Sequence, residues 1–201
     1  MATAVQRYFD QQSGQYSKSS KFLLWRWQRN RETEAVDSLM GPVTREKIMD
    51  LGCGSGYYTR HFLKRGAEHI TAVDASPSMI SQLPKHHMTG IVEDAATIQL
   101  EEHFSRIICA GLLEFVAEPG KVLRSARDMV EDEGHMICLL PPDNWAGRLY
   151  RAYHRRHAME INLFQRARFK DLCENSGWGV DGYQFVPPYS DVYRLVPLST
   201  S

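Results

Sequence analysis

No charge of either sign predominates in this sequence, where 24 lysines and arginines stand against 24 aspartates and glutamates. The positive field that would gather a phosphate backbone is therefore missing, and nucleic acid is not expected as a partner. Cysteine is scarce: Cys53, Cys109, Cys138 and Cys173 are scattered with no C-x-x-C pair. That excludes a cysteine metal knuckle and fits a reducing compartment, since three of the four sit in apolar runs where a free thiol packs as a small hydrophobe. No apolar run approaches the length needed to span a bilayer, and the opening MATAVQRYFDQQSG lacks the basic-then-apolar order of a secretory leader. A soluble, cytoplasmic protein is expected. His86 and His87 have no cysteine or carboxylate at ligand spacing, so no metal is expected either. Internal repeats and low-complexity segments are absent.

What the sequence does contain is an alternation. A chain of 201 residues suits one domain, residues 1–201, with a sizeable core. Short runs rich in Ile, Val and Leu alternate with segments of helical period, the pattern of βαβ units and a mostly parallel sheet. Strands are expected at residues 47–51, 69–74, 90–93, 106–110 and 135–140. Two further runs at 178–186 and 191–196 are separated only by Pro187, Pro188, Tyr189 and Ser190, close enough for an antiparallel hairpin. Ser76 reads as an N-cap with Pro77 at the first helical position and Pro84 as a stop. Val122, Leu123, Ala126, Met129 and Val130 keep helical spacing up to Gly134, as Phe169, Leu172 and Cys173 do before Gly177. Residues 1 to about 40 read as a helical cover ending at Gly41-Pro42, and residues 143–164 as an insertion that closes over substrate as a lid. Both would lie at the carboxyl edge of the sheet, where open α/β folds bind ligands.

Asp50-Leu51-Gly52-Cys53-Gly54-Ser55-Gly56-Tyr57 follows the first strand and opens a helix, so its glycines allow a sharp turn and close approach of backbone to a ligand. Dinucleotide folds use G-x-G-x-x-G, whereas Gly52, Gly54 and Gly56 give G-x-G-x-G. Asp74 closes the second strand, where a carboxylate can accept from two ribose hydroxyls. Asp94 follows the third strand, where a carboxylate can accept from the adenine amine while the N–H of Ala95 reaches a ring nitrogen.

MDLGCGSG, AVDAS, EDAA and IICAGLLEFV, in this order and at these intervals, resemble the nucleoside-binding motifs of class I S-adenosylmethionine-dependent methyltransferases. The resemblance covers roughly residues 46–141 and, weakly, the remainder. It implies a Rossmann-like α/β fold with a seven-stranded, mostly parallel sheet, an antiparallel last strand and helices on both faces. It implies S-adenosylmethionine as cofactor, with Gly52, Cys53, Gly54 and neighbouring backbone cradling its methionine and ribose and Asp50 supporting the loop. Asp74 and Ala75 would lie at the ribose, Asp94 and Ala95 at the adenine, and Cys109, Ala110 and Gly111 beside the sulfonium. In one departure, Phe115 stands where many small-molecule relatives have His, so the polar group that His supplies is missing from this position.

Methyl transfer from a sulfonium is an in-line displacement on an activated carbon, so orientation carries most of the rate and a base is needed only for an acceptor that holds its proton. The candidates for acceptor-side chemistry are Glu114, which acidic preference near a helix N-terminus also explains, and His154 and His157, which a solvated basic helix also explains. Arg148, Tyr150, Arg151, Tyr153, Arg155 and Arg156 in the insertion, with the aromatic, amphipathic run from Lys21 to Trp27, suit a small acceptor with an anionic aromatic or lipid-like body, or rest on a membrane surface. The alternatives are an S-adenosylmethionine-binding interaction protein without catalysis and, opposed by the glycine spacing, an NAD-dependent oxidoreductase.

Overall fold

The computed structural model describes residues 23–156 and 159–199, with side chains from residue 26 onward. Seven strands, β1 (Lys47–Leu51), β2 (His69–Asp74), β3 (Met88–Val92), β4 (Phe104–Ala110), β5 (Val130–Leu140), β6 (Trp178–Val186) and β7 (Ser190–Pro197), form one sheet in the order β3-β2-β1-β4-β5-β7-β6. The pairs β3-β2, β2-β1, β1-β4 and β4-β5 are parallel, while β7 runs antiparallel to both neighbours. The order turns back between β1 and β4, which makes the carboxyl ends of those two strands the switch point of the sheet.

Successive side chains along a strand point to opposite faces, so each central strand feeds two cores. Ile48, Ile70, Ala72, Ile108 and Ile137 face α1 (Leu23–Met40) and α2 (Tyr57–Lys64), where Ala35, Val36, Met40 and Phe62 are buried. Met49, Leu51, Val73, Ile107 and Met136 face the other side, with Val122, Leu123 and Ala126 of α4 (Pro119–Met129) and Phe169 of α6 (Arg166–Glu174). Trp178 is wholly buried there, and its indole N–H donates to Leu123 O at 2.8 Å. This burial, not helix propensity, holds the layers together.

Three details differ from the sequence reading. The helix expected to run to Gly134 stops at Met129, and Val130 already begins β5. Gly134 lies inside that strand, where an added Cβ would sit 2.8 Å from Val130 Cγ2 and 3.0 Å from Phe104 O. The glycine there marks close backbone approach beside a register slip in the β4-β5 pairing. The helix opened by Ser76, α3 (Pro77–Ile80), has its cap bond from Met79 N–H to Ser76 Oγ at 3.3 Å but is a single turn that ends ahead of Pro84.

The insertion contains α5 (Trp145–Arg155) and a return limb, closed at its base by Asp143 N–H to Phe164 O at 3.0 Å and Phe164 N–H to Pro141 O at 3.3 Å. Of the N-terminal cover, the part from Leu23 is helical; residues 1–22, including Lys21 and Phe22, lie outside the described residues. Among the described residues no helix is long and apolar enough to cross a membrane.

Candidate active site

The glycine loop is stitched to the neighbouring strand before any ligand is considered. The N–H groups of Gly52 and Cys53 both donate to Val73 O, at 2.8 and 2.9 Å. Gly52, Gly54 and Gly56 all have positive φ, of 76°, 51° and 81°, a region that L side chains rarely enter. Packing further explains two of them, because a Cβ on Gly52 would lie 2.9 Å from Leu112 and one on Gly56 2.3 Å from Leu83. At Gly54 an added Cβ would meet nothing within 4 Å. The middle of the loop therefore presents bare backbone to open space, the cradle that a nucleoside-bearing group needs.

Asp74 ends β2 beside this cradle. Its Oδ2 accepts from Gly54 N–H and its Oδ1 from Ser76 N–H, both at 2.9 Å. A carboxylate has about four acceptor positions, so it can serve backbone N–H groups and hydroxyls together. Ala75 follows it in the same turn. Asp94 lies two residues beyond β3 with its carboxyl exposed, and its Oδ1 accepts from Ala96 N–H at 2.9 Å. Glu93 N–H donates to Asp74 O at 3.2 Å, which ties the turns after β2 and β3 together at one edge. Ala95 is buried in the core behind them.

Asp50 plays a supporting part. It is buried, accepts from Thr59 Oγ1 at 2.6 Å, and its pKa is raised to about 7 by burial, against the opposing pull of the Thr59 hydrogen bonds. Thr59 is wholly buried and clamps the loop to α2, a role that no motif spacing would single out. At the end of β4, the Cys109 side chain is 1% exposed and belongs to the apolar core, so only its backbone is available to a ligand. Ala110 is half-buried, and Gly111 turns the chain with φ 72° as its N–H donates to Leu139 O at 3.0 Å.

Of the acceptor-side candidates, Glu114 and His154 prove to be buried rather than solvated, at 4% and 6% exposure. Glu114 lies ahead of α4 and not at its N-terminus, so a helix dipole does not account for it. Burial raises its pKa to about 8, opposed by its own backbone N–H and assisted by the charge of Glu32. His154 sits on the inner face of α5 with its ring edge-on to Phe115, centroids 5.4 Å apart, and also to Tyr150 and Tyr153. The insertion thus brings an imidazole alongside Phe115. His157 lies outside the described residues.

The insertion is not a separate flap. Asn162 N–H donates to Glu114 O at 2.8 Å, and its Nδ2 donates to Leu113 O and Val116 O at 3.2 and 2.8 Å, so the return limb buttresses the turn after β4. Sequence reasoning also missed Gln28, Glu32 and Tyr58, three buried polar residues. The run before Gly41 also contains Trp27, which is 55% exposed with Arg31 stacked on its ring at 4.7 Å. A shallow cleft lined by Leu63, Ala67, His86 and His87 contains none of these groups. No cluster of His, Cys, Asp or Glu among the described residues could hold a metal ion.

A family model described as a methyltransferase domain matches residues 8–181. The chain belongs to the class I S-adenosylmethionine-dependent methyltransferase family. With that family comes its cofactor, S-adenosylmethionine. The chain is 30% identical over 128 residues to the mitochondrial ubiquinone biosynthesis O-methyltransferase of Schizosaccharomyces pombe, covering 58% of this chain and 45% of the relative. It is 24% identical over 124 residues to a tRNA U34 carboxymethyltransferase of Shewanella piezotolerans, covering 56% and 35%. The chain thus spans less than half the length of these relatives. Among solved structures, magnesium protoporphyrin IX methyltransferase of Synechocystis with bound S-adenosylhomocysteine superposes with a TM-score of 0.76 at 16% identity, covering 96% of this chain and 98% of that one. A chain of the Haloferax volcanii complex between the Trm112 methyltransferase activator and a methyltransferase gives 0.80 at 14% identity, covering 95% and 98%. These likenesses agree in fold.

Proposed function

We propose that this chain transfers the methyl group of S-adenosylmethionine to a small-molecule acceptor with an anionic aromatic or lipid-like body. The observation that carries the reading is the bare backbone at Gly54, hydrogen-bonded to Asp74 at the switch point of the sheet. In this reading Asp74 accepts from the ribose hydroxyls, Asp94 and the Ala95 N–H bind the adenine, and the backbone from Cys109 to Gly111 borders the sulfonium. Bound there, the cofactor supplies a methyl carbon already activated for displacement. The protein's contribution is to hold nucleophile and methyl in line, which can supply roughly 7–11 kcal/mol. The acceptor body would rest against α5, whose Trp145, Leu149 and Tyr153 are exposed beside Arg148, Arg151 and Arg155.

The test is a tryptophan-fluorescence titration with S-adenosylmethionine and with NAD. Saturable binding of the first alone is expected, whereas preference for NAD would refute the reading. The same arginines favour a second reading, a tRNA acceptor. Binding of unfractionated tRNA that falls steeply with salt would support it against the small molecule.

A further inference from the structure

Along the buried stripe of α1 the chemistry changes halfway. Ala35, Val36 and Met40 are apolar, whereas Gln28 and Glu32, two turns and one turn earlier, are buried to 5% and 8% exposure. Buried polar groups are costly unless paired, and these are paired only in part. Gln28 Nε2 reaches Glu32 Oε1 and Val186 O at 3.4 Å each, but Gln28 Oε1 has no partner. Glu32 Oε1 accepts from Ser190 Oγ at 2.5 Å. From the turn after β4, Glu114 contributes a carboxyl whose Oε2 is buried without a partner. The charge of Glu32 raises the pKa values of both Glu114 and Tyr58. The other ionisable neighbours are Arg29 on α1, which acts on Tyr58, and His154 on α5 across Phe115.

Glu114 also adjoins the cofactor edge. Its Oε1 lies 3.7 Å from where a Cβ on Gly111 would be, and the adjacent Leu112 is the residue that packs against Gly52. Resting on the function proposed above, we infer that the reacting end of the methyl acceptor reaches the turn after β4 and that Glu114 Oε2 takes the proton of its nucleophile. The acceptor atom is accordingly a proton-bearing one, a hydroxyl oxygen, and not a thioether or a fully substituted amine. The hydroxyl oxygen forms a bond to the methyl carbon while the carbon–sulfur bond breaks, its electron pair passing to sulfur. The hydroxyl proton moves to the Glu114 carboxylate, leaving a methyl ether, a thioether and a carboxylic acid. With its pKa raised to about 8, the carboxyl takes the proton through its ionised form, whose share grows from neutrality toward about pH 9.

The test needs no knowledge of the acceptor. Sinefungin carries a protonated amine where the cofactor carries its sulfonium methyl, and S-adenosylhomocysteine carries nothing there. Calorimetric titration of both into the wild type and into Glu114→Gln should find sinefungin about tenfold tighter in the wild type, with a preference that grows from about pH 6 to about pH 9 as the carboxyl ionises. In Glu114→Gln the preference should fall to about threefold or less and lose its pH dependence, with S-adenosylhomocysteine affinity unchanged. An equal preference in both proteins would overturn the assignment. So would loss of S-adenosylhomocysteine binding in the variant, which would make Glu114 part of the cofactor site itself. If the wild type binds neither compound, the cofactor reading fails instead, and the inference with it.

Discussion

Asp74 holds the N–H groups of Gly54 and Ser76, so the residue proposed to meet the ribose also shapes the glycine loop. Asp74→Ala should weaken S-adenosylhomocysteine binding by about 1–3 kcal/mol in calorimetry while the protein stays folded, since two ribose hydroxyls lose their acceptor. An unchanged affinity would remove Asp74 from the site. Gly54→Val should abolish binding, because a branched side chain would fill the cradle and resist φ 51°.

Glu114 gives a prediction of opposite sign from the usual acid. Its folded pKa, about 8, lies above its ordinary 4.5, so the native state binds the extra proton. Its contribution to stability is full below about pH 4.5 and is lost as pH rises toward about 8. Glu114→Gln should therefore raise the melting temperature more at about pH 9 than at about pH 5; a pH-independent difference would contradict the assigned burial. The motif residues were legible in the sequence because glycine and aspartate at fixed offsets report backbone requirements. Gln28 and Glu32 were not, because polar residues one turn apart read as a solvated helix face until the fold shows what covers them.

At the scale of elements, α5 divides into three sectors at roughly 100° per residue. Ala146, Gly147 and His154 face inward, Trp145, Leu149 and Tyr153 form an exposed apolar stripe, and Arg148, Arg151 and Arg155 lie to one side of it. If this surface meets a lipid-like molecule or an anionic membrane, the protein should float with phosphatidylglycerol vesicles more than with phosphatidylcholine vesicles. Replacing the three apolar residues by Ser should abolish flotation without changing S-adenosylhomocysteine affinity. Equal behaviour toward the two vesicles would argue against the basic sector having this role. A lid that only closes over substrate could be replaced, residues 143–164 as a whole, by a Gly/Ser linker without loss of cofactor binding. The structure changes that expectation, since Asn162 holds the carbonyls of Leu113, Glu114 and Val116. Asn162→Ala should cost about 1–3 kcal/mol of stability by denaturant titration, whereas replacing α5 alone should leave affinity within about threefold. The insertion's boundaries could be read from the break in βαβ alternation; its docking could not, because it rests on one side-chain amide meeting backbone from another element.

For the whole molecule, the strand pattern was readable because parallel central strands are short, apolar and evenly spaced by helices. The predicted bounds of β1, β2 and β6 coincide with the observed ones. The terminal hairpin was also visible, in two runs separated by a short proline turn. What could not be read was the inward turn of polarity at the sheet's carboxyl edge, where α1, α2, the β4 turn and the β6-β7 turn converge on Glu32 and Glu114. That convergence is a property of the assembled layers, which no single segment displays. The central claim, that the switch point of this sheet is an S-adenosylmethionine site bordered by Glu114, is tested most directly by a crystal structure with S-adenosylhomocysteine. Ribose hydroxyls should lie on Asp74, adenine beside Asp94 and Ala95, and sulfur facing Glu114. A ligand bound away from the Gly54 backbone, or with its sulfur turned from Glu114, would contradict it.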